Sequence, residues 1–284
     1  MSVKFNIHFV TKWGEKIRLL LLSVNTDGES QSGYVEMTCD KNFMWTTSIH
    51  PEEHQSEIFY KYELISANSD HILEYGEYRK LNIVDCHLNI NVIDSWRASF
   101  GESPFMTTVF QDCYFKRNKT EKAEKENTDA EFILQVYAPQ IEPDRHFAIV
   151  GNQDAIGNWD VAGKVKLNEE QYPLWSISFR AGEIKFPLEY KYLIVDSKTD
   201  EVLAWGGGPN RKVDKILPGA MNIITDESFL RTIPSWRAAG VSIPVFSLRS
   251  KKSFGIGEFY DLKLMVDWAK LTGQKIIQTL PIND

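Results

Sequence analysis

Trp159, Glu189, Lys191, Trp205 and Asn210 are the residues whose types and setting could do specific chemistry. Trp159 sits in the turn-like run Gly157-Asn158-Trp159-Asp160, and Trp205 precedes Gly206-Gly207-Gly208-Pro209-Asn210-Arg211. An indole offers a flat apolar face at low entropic cost, while carboxylate, amine and amide groups offer directional hydrogen bonds. Together they fit a pyranose ring, whose C–H face needs a flat partner and whose hydroxyls need short polar ones. Lys191 alone would read as a solvated surface lysine; its company raises it. Gly206-Gly207-Gly208 has no helix start behind it, so it reads as a flexible turn and not as a phosphate nest.

The elements that must hold these residues are strands. Leu188, Tyr190, Tyr192 and Ile194 alternate with Glu189 and Lys191, so inward tyrosines would turn the acid and the amine outward together. Trp175, Ile177 and Phe179 alternate with Ser176 and Ser178, which makes Trp175 a core residue. Phe132, Leu134 and Val136 alternate in the same way. Period-two patterns bounded by Pro and Gly predict antiparallel strands with one buried face.

The pattern occurs twice. Met44-Trp45, Phe59-Tyr60-Lys61-Tyr62, Glu74-Tyr75-Gly76, Arg79-Lys80 and Ser95-Trp96-Arg97 are echoed by Leu174-Trp175, Glu189-Tyr190-Lys191-Tyr192, Ala204-Trp205-Gly206, Arg211-Lys212 and Ser235-Trp236-Arg237. The step from the Trp to the first aromatic of the Tyr-Lys-Tyr triplet is 15 positions in both copies, and the step from its last Tyr to the aromatic before Gly is 13 in both. Two modules of about 100 residues, the size of a small immunoglobulin-like β-sandwich, are expected. In the first copy Tyr75 stands for Trp205, no Pro-Asn precedes Arg79, and no Gly-Asn-Trp is found in residues 17–34. Sugar contact there would rest on Lys61 and Tyr75, a weaker site than in the second copy, and Trp13 lies in a different place.

Composition excludes several classes. A formal net charge of -7 leaves no basic footprint for nucleic acid. At 43% hydrophobic residues the chain can build a core, no apolar run reaches membrane-spanning length, and residues 1–10 lack the makings of a signal peptide. Three cysteines without C-x-x-C spacing read as buried or free thiols, and six scattered histidines form no metal pattern. No cofactor or metal is expected. Residues 116–128 are charged and read as a linker between the copies.

The last 55 residues change style. Gly240–Phe246 reads as a buried-type strand. A loop follows to Gly257, then a helix with Leu262, Met265, Val266 and Ala269 on one face and Gly273 at its end, then a strand over Lys275–Pro281. A lone βαβ unit cannot bury both strand faces, so the chain is expected to stop inside a larger α/β domain.

Gly157-Asn158-Trp159, Pro173-Leu174-Trp175, Glu189-Tyr190-Lys191-Tyr192 and Trp205 with Pro209-Asn210-Arg211 resemble, in order, the motifs of the family 20 carbohydrate-binding modules, the starch-binding modules. The resemblance implies that Trp159 and Trp205 stack on glucose rings, that Lys191 and Asn210 bind hydroxyls with Glu189 beside them, and that Tyr172 lies near a second sugar site. Gly240-Val241 with Ser247-Leu248, Gly255-Ile256-Gly257 and Gln278-Thr279-Leu280-Pro281-Ile282-Asn283 are similar to the opening of the family 77 glycoside hydrolases, the amylomaltases or disproportionating enzymes.

The expected architecture is mainly β. Residues 1–115 and 129–228 would form two starch-binding-like sandwiches, and 229–284 would start a (β/α)8 barrel. The resemblance further implies retaining 4-α-glucanotransfer on starch, glycogen, maltose and malto-oligosaccharides. It also implies a cytoplasmic setting, because tandem family 20 modules before this barrel mark a cytosolic subgroup. The catalytic carboxylates would lie beyond residue 284, which leaves Glu258 as a helix-start charge and Asp267 as a helix-surface acid. A non-catalytic glucan-binding scaffold and an immunoglobulin-like protein-binding chain are the alternatives, separated by the sequence downstream and by whether maltoheptaose or β-cyclodextrin perturbs tryptophan.

Overall fold

Strands form wherever the period-two runs occur. In the computed structural model, which describes residues 1–24, 30–52, 55–83, 88–97, 113, 130–226 and 238–280, they make up most of the regular structure. The predicted linker at 116–128, most of 99–115, Cys86 and Ser235-Trp236-Arg237 lie outside the described residues. The first half supplies β1 (Val3–His8), β2 (Lys16–Val24), β3 (Ser30–Glu36), β4 (Thr38–Cys39), β5 (Met44–Ile49), β6 (Glu57–Ile65), β7 (His71–Leu73), β8 (Arg79–Asn82) and β9 (Asn89–Asp94). The second half supplies β10 (Ala130–Tyr137), β11 (Arg145–Gly151), β12 (Val165–Lys166), β13 (Leu174–Arg180), β14 (Leu188–Asp196), β15 (Val202–Trp205), β16 (Arg211–Val213) and β17 (Ala220–Asp226).

The halves share a sheet. β9 and β17 pair in parallel, with Asn91 beside Asn222 and Val92 beside Ile223, and so complete a seven-stranded sheet in the order β13-β10-β17-β9-β1-β5-β4. Each half adds a five-stranded sheet of its own: β3-β2-β6-β7 with β8 on β6, and β12-β11-β14-β15 with β16 on β14.

Residue parity puts the two cores on opposite faces of the common sheet. Ile224 of β17 joins Phe132, Leu134, Phe147, Trp175 and Tyr192 in the core of the second half. Its neighbour Ile223 points the other way, into the first-half core with Phe5, Val92 and Tyr62. Successive strand residues face opposite sides, so adjacent isoleucines serve different cores. Ile93 of β9 reaches back to the second core, as Ile133 and Met221 reach to the first. β9 and β17 are thus covered on both faces, which is why they read as nearly continuous apolar runs.

A buried asparagine ladder crosses the seam. Asn6 Nδ2 donates to Asn91 Oδ1 at 3.0 Å, and Asn91 Nδ2 donates to Asn222 Oδ1 at 2.9 Å. Asn222 Nδ2 in turn donates to the carbonyls of Leu217 and Ala220, and its Oδ1 also accepts the Leu217 amide. Each amide would be left unpaired by a one-residue slip, so the ladder fixes the register of β1, β9 and β17.

The chain splits into compact units at Met1–Thr232 and Ile233–Asp284. In the second, β18 (Gly240–Ile243) and β19 (Ile276–Thr279) pair in parallel around α1 (Phe259–Leu271). β18 stops before Pro244, which has no N–H for the ladder, and Val245–Ser247 turns as a 3-10 segment. The strand predicted to run to Phe246 is therefore shorter, and it is half-exposed where a buried-type strand was expected. Glu258 is the N-cap of α1, exchanging backbone bonds with Asp261 in a capping box. Gly273, at φ +72°, ends the helix with its amide on the Lys270 carbonyl. Phe246, Phe254, Phe259 and Leu271 all stay exposed in this unit, as a lone βαβ must leave them.

A shared sheet predicts shared unfolding. Asp94→Ala, which takes a buried acceptor from Tyr60, Tyr62 and Arg79, should cost about 3–5 kcal/mol, and Asp226→Ala, at a part-exposed carboxylate, about 1–3 kcal/mol. Both should shift one common transition of the Met1–Thr232 unit in urea. Two transitions, each moved by only one variant, would contradict the shared seam.

Candidate functional site

Burial decides which face of β14 is free. Tyr190 and Tyr192 are buried, and both hydroxyls donate to Asp226 Oδ2, at 2.6 and 2.7 Å. Arg211 lies over the Tyr192 ring and meets Asp226 Oδ1 at 3.4 Å. Burial pushes the Asp226 carboxyl above the usual carboxylate range, against the opposing pull of Arg211. With the tyrosines locked inward, Glu189 and Lys191 take the opposite face half-exposed, as the alternation predicts, and Leu193 on that face is buried in a small cluster with Ala148, Val150 and Val195. Trp205 of β15 pairs with Leu193, and directly opposed residues share a face, so its indole lies on this outward side, two positions from Lys191. Lys191 Nζ donates to the Gly208 carbonyl at 2.9 Å and draws in the turn that carries exposed Asn210. Glu189 is half-buried and pairs across the ladder with Lys212 of β16.

Trp159 ends a 3-10 segment, Asp154–Trp159, between β11 and β12. Ile156 is fully buried and pins the segment to the core. The Gln153 carbonyl accepts both the Ile156 and Asn158 amides. Gly157, Asn158 and Trp159 then adopt positive φ in succession, 81°, 45° and 63°. Each non-glycine residue held there costs about 1 kcal/mol or more. Glycine is required at 157 for a second reason: a Cβ would sit 2.6 Å from the Gly163 carbonyl carbon and oxygen. The two glycines cross, and the Asp160 carboxylate closes the crossing by accepting the Ala162 amide at 2.9 Å.

The result is an open ring. Trp159 is 36% exposed and Trp205 38%, whereas Trp175 is fully buried with its indole N–H on the Ala138 carbonyl. In the sheet order β12-β11-β14-β15, the segment ending at Trp159 connects β11 to β12 on one side of β14, and Trp205 ends β15 on the other. Tyr172 is half-buried. Its hydroxyl donates to the Pro139 carbonyl at 2.6 Å, its ring meets Trp175 edge-on, and its side chain packs against the core of the second half.

The first half keeps the frame and loses this surface. Tyr60 and Tyr62 donate to Asp94 Oδ2 as Tyr190 and Tyr192 do to Asp226, and Lys61 Nζ donates to the Gly76 carbonyl as Lys191 does to Gly208. Yet Leu73, not Tyr75, lies opposite Glu63, the position matching Leu193. The equal 13-residue spacing hides a two-residue register difference. Tyr75 is therefore not the counterpart of Trp205, because Glu74 turns inward and takes both Arg79 Nε and Nη2. A regular strand, β3, fills the place of the Trp159 segment. Glu63 is engaged by Arg18 at 2.6 Å and by His71 at 3.0 Å. Burial also holds the Lys61 ammonium below its ordinary range. Trp13, 98% exposed, projects from the loop between β1 and β2.

The family matches fall on this division. A model described as starch binding domain matches residues 131–219, the half with the open tryptophans, and one described as 4-alpha-glucanotransferase matches residues 243–284. Residues 131–219 are thus similar to starch-binding domains and residues 243–284 to 4-alpha-glucanotransferases. A 4-alpha-glucanotransferase DPE2 of Oryza sativa subsp. japonica is 30% identical over 240 residues, 79% of this chain and 25% of the rice protein. The 4-alpha-glucanotransferase of Chlamydia trachomatis serovar D is 56% identical over 45 residues, 16% of this chain and 8% of its own. The chain thus spans a quarter or less of the length of these relatives. Among solved structures, the family 20 module of a maltotetraose-forming amylase from Pseudomonas saccharophila aligns with 33% of this chain and 97% of its own at 23% identity and a TM-score of 0.28.

Asp94, Asp226 and Gly163 are the site-forming residues that the sequence reading missed. Buried tyrosine hydroxyls need acceptors, and an aspartate ending each long apolar run, Asp94 after Ile93 and Asp226 after Ile224-Thr225, was the available signal.

The crossing of Gly157 and Gly163 makes Gly163→Ala a sharp probe of the Trp159 segment. The added methyl would lie 2.7 Å from Gly157 Cα. It should displace the segment at a cost of roughly 1–3 kcal/mol. Acrylamide quenching in a Trp205→Phe background should change, with the far-ultraviolet circular dichroism unaltered. Unchanged quenching would show that the crossing does not hold the indole.

Proposed function

We propose that this chain gives a 4-α-glucanotransferase its hold on α-glucan, through a site built from Trp159, Trp205, Lys191, Asn210 and Glu189. What supports the reading is the exposure of Trp159 and Trp205 in a half whose other large aromatics are buried or half-buried, with Trp205 across the ladder from Leu193, two positions from Lys191. Two flat faces take the apolar sides of successive glucose rings, and the amine and amide take hydroxyls. The ligands are neutral polymers and oligomers of the starch and glycogen kind, maltose included. Half-buried Tyr172 is a second, weaker glucan contact. The first half, with its ionic surface around Glu63 and no tryptophan opposite it, plays a structural part, and sugar contact at Lys61 and Tyr75 is secondary.

The transferase activity belongs to the whole protein. What supports it is the match at residues 243–284 and the names of the relatives. In retaining transfer a carboxylate attacks the anomeric carbon and a carboxylic acid protonates the leaving oxygen; a glucan hydroxyl then receives the sugar. No residue here is assigned to those roles. Glu258 is spent on capping α1 and Asp267 lies exposed on the same helix. We read residues 1–115 and 129–228 as two modules of one folding unit joined through 116–128, and 229–284 as the opening of a (β/α)8 barrel. Exposed free thiols at Cys39 and Cys113 fit a reducing, cytoplasmic setting. No helix among the described residues is long and apolar enough to cross a membrane.

Maltoheptaose titration followed by tryptophan fluorescence tests the binding claim. Trp159→Ala and Trp205→Ala should each weaken binding at least tenfold, about 1.4 kcal/mol, while Tyr75→Ala should change it less than twofold. Wild-type affinity in both tryptophan variants would exclude this site.

A further inference from the structure

The two indoles stand on different supports, and one carboxylate joins them. Trp205 belongs to the hairpin β14–β15, whose turn contains Asp200. Trp159 belongs to the segment whose Gly157 crosses Gly163, and Lys164 follows that crossing directly. Lys164 Nζ meets Asp200 Oδ2 at 2.6 Å, with only 7% of the lysine side chain exposed. Lys166 Nζ meets Asp200 Oδ1 at 3.0 Å. Both oxygens of one carboxylate are therefore held by two lysines from the far side of the sheet.

The turn is shaped to present that group. Asp196 Oδ1 accepts the amides of Lys198 and Thr199, both at 2.8 Å, and the Asp200 amide donates to the Asp196 carbonyl at 3.1 Å. Asp200 itself sits at φ 61°, a conformation that Asp and Asn tolerate better than other side chains. Lys166, Ala148, Leu193 and Trp205 form one continuous cross-strand row on the outward face, so the bridge ends on the row that carries the indole. The hydrogen bonds from Lys164 and Lys166 hold the Asp200 carboxyl below the usual carboxylate range. A half-exposed bridge of this kind contributes little to global stability. Its position gives it another use.

We propose that Lys164, Asp200 and Lys166 are positioning residues of the glucan site, a latch that fixes the Trp159 segment against the Trp205 hairpin. The inference rests on the glucan reading above. With the latch open, each indole keeps its own support but the pair loses its fixed separation, and a two-ring ligand loses more than a one-ring ligand.

The test uses Asp200→Asn, which keeps the left-handed turn position and removes the charge, with Lys164→Met as a second variant reaching the same bridge from the other side. Maltoheptaose affinity should fall three- to tenfold in each, and the double variant should be no worse than the weaker single. Salt gives a readout that a merely structural role would not move. The ligand is neutral, so wild-type affinity should weaken between 10 mM and 1 M NaCl because the bridge is screened, and the variants should lose that dependence. Wild-type affinity and salt response in both variants would overturn the latch. Absence of binding in the wild type itself would instead overturn the glucan reading, which separates the two failures.

Discussion

Each half of this protein is organised by one buried carboxylate that accepts two tyrosine hydroxyls. Asp226 holds Tyr190 and Tyr192, and Asp94 holds Tyr60 and Tyr62, with Arg211 and Arg79 in equivalent places beside them. A buried hydroxyl without a partner costs about 1–3 kcal/mol, so the two tyrosines are not free to turn outward. Their neighbours on the strand must therefore take the opposite face of the sheet, where Glu189 and Lys191 are half-exposed and Leu193 is buried with Ala148, Val150 and Val195. Every statement about the outward surface follows from that constraint, including the shared face of Lys191 and Trp205.

The same frame carries different surfaces. In the second half a cross-strand row through buried Ala148 and Leu193 ends at exposed Trp205, and a segment with three successive positive φ angles ends at exposed Trp159. In the first half the matching strand position is Glu63, tied to Arg18 and His71, and Glu74 folds inward onto Arg79. The two halves thus share the Asp–Tyr–Tyr core arrangement and differ in the outer strand face, with Leu193 in one and ion-paired Glu63 in the other. The seam between the copies is a parallel pairing of β9 and β17, held in register by Asn91 and Asn222 and covered by a core on each side. That joins the halves into one body and gives the first half a role as support even where its own surface binds nothing.

Much of this was legible in the residues. Alternation around Tyr190 and Tyr192 told inside from outside, the Ser-spaced Trp175 read as core, and Gly273 marked a helix end. The open tryptophans were legible because each sits beside glycines, where a core aromatic has no reason to be. What escaped was non-local. Equal spacing matched Tyr75 to Trp205, but spacing along the chain does not count the register that an inward Glu74 resets. The shared sheet is not legible because Ile90-Asn91-Val92-Ile93 and Met221-Asn222-Ile223-Ile224 each read as a strand needing cover on both faces, a pattern that does not name the partner strand. Gly163 escaped because a close approach between two glycines leaves no mark in either flanking sequence.

The central claim is that two particular indoles among eight form a glucan surface. Indole N–H resonances of the uniformly 15N-labelled protein, assigned through Trp159→Phe and Trp205→Phe, report each ring separately. On addition of maltoheptaose the signals of Trp159 and Trp205 should both move and titrate with one affinity, while that of Trp175 stays in place. Titration that leaves both of those signals unmoved would contradict the account.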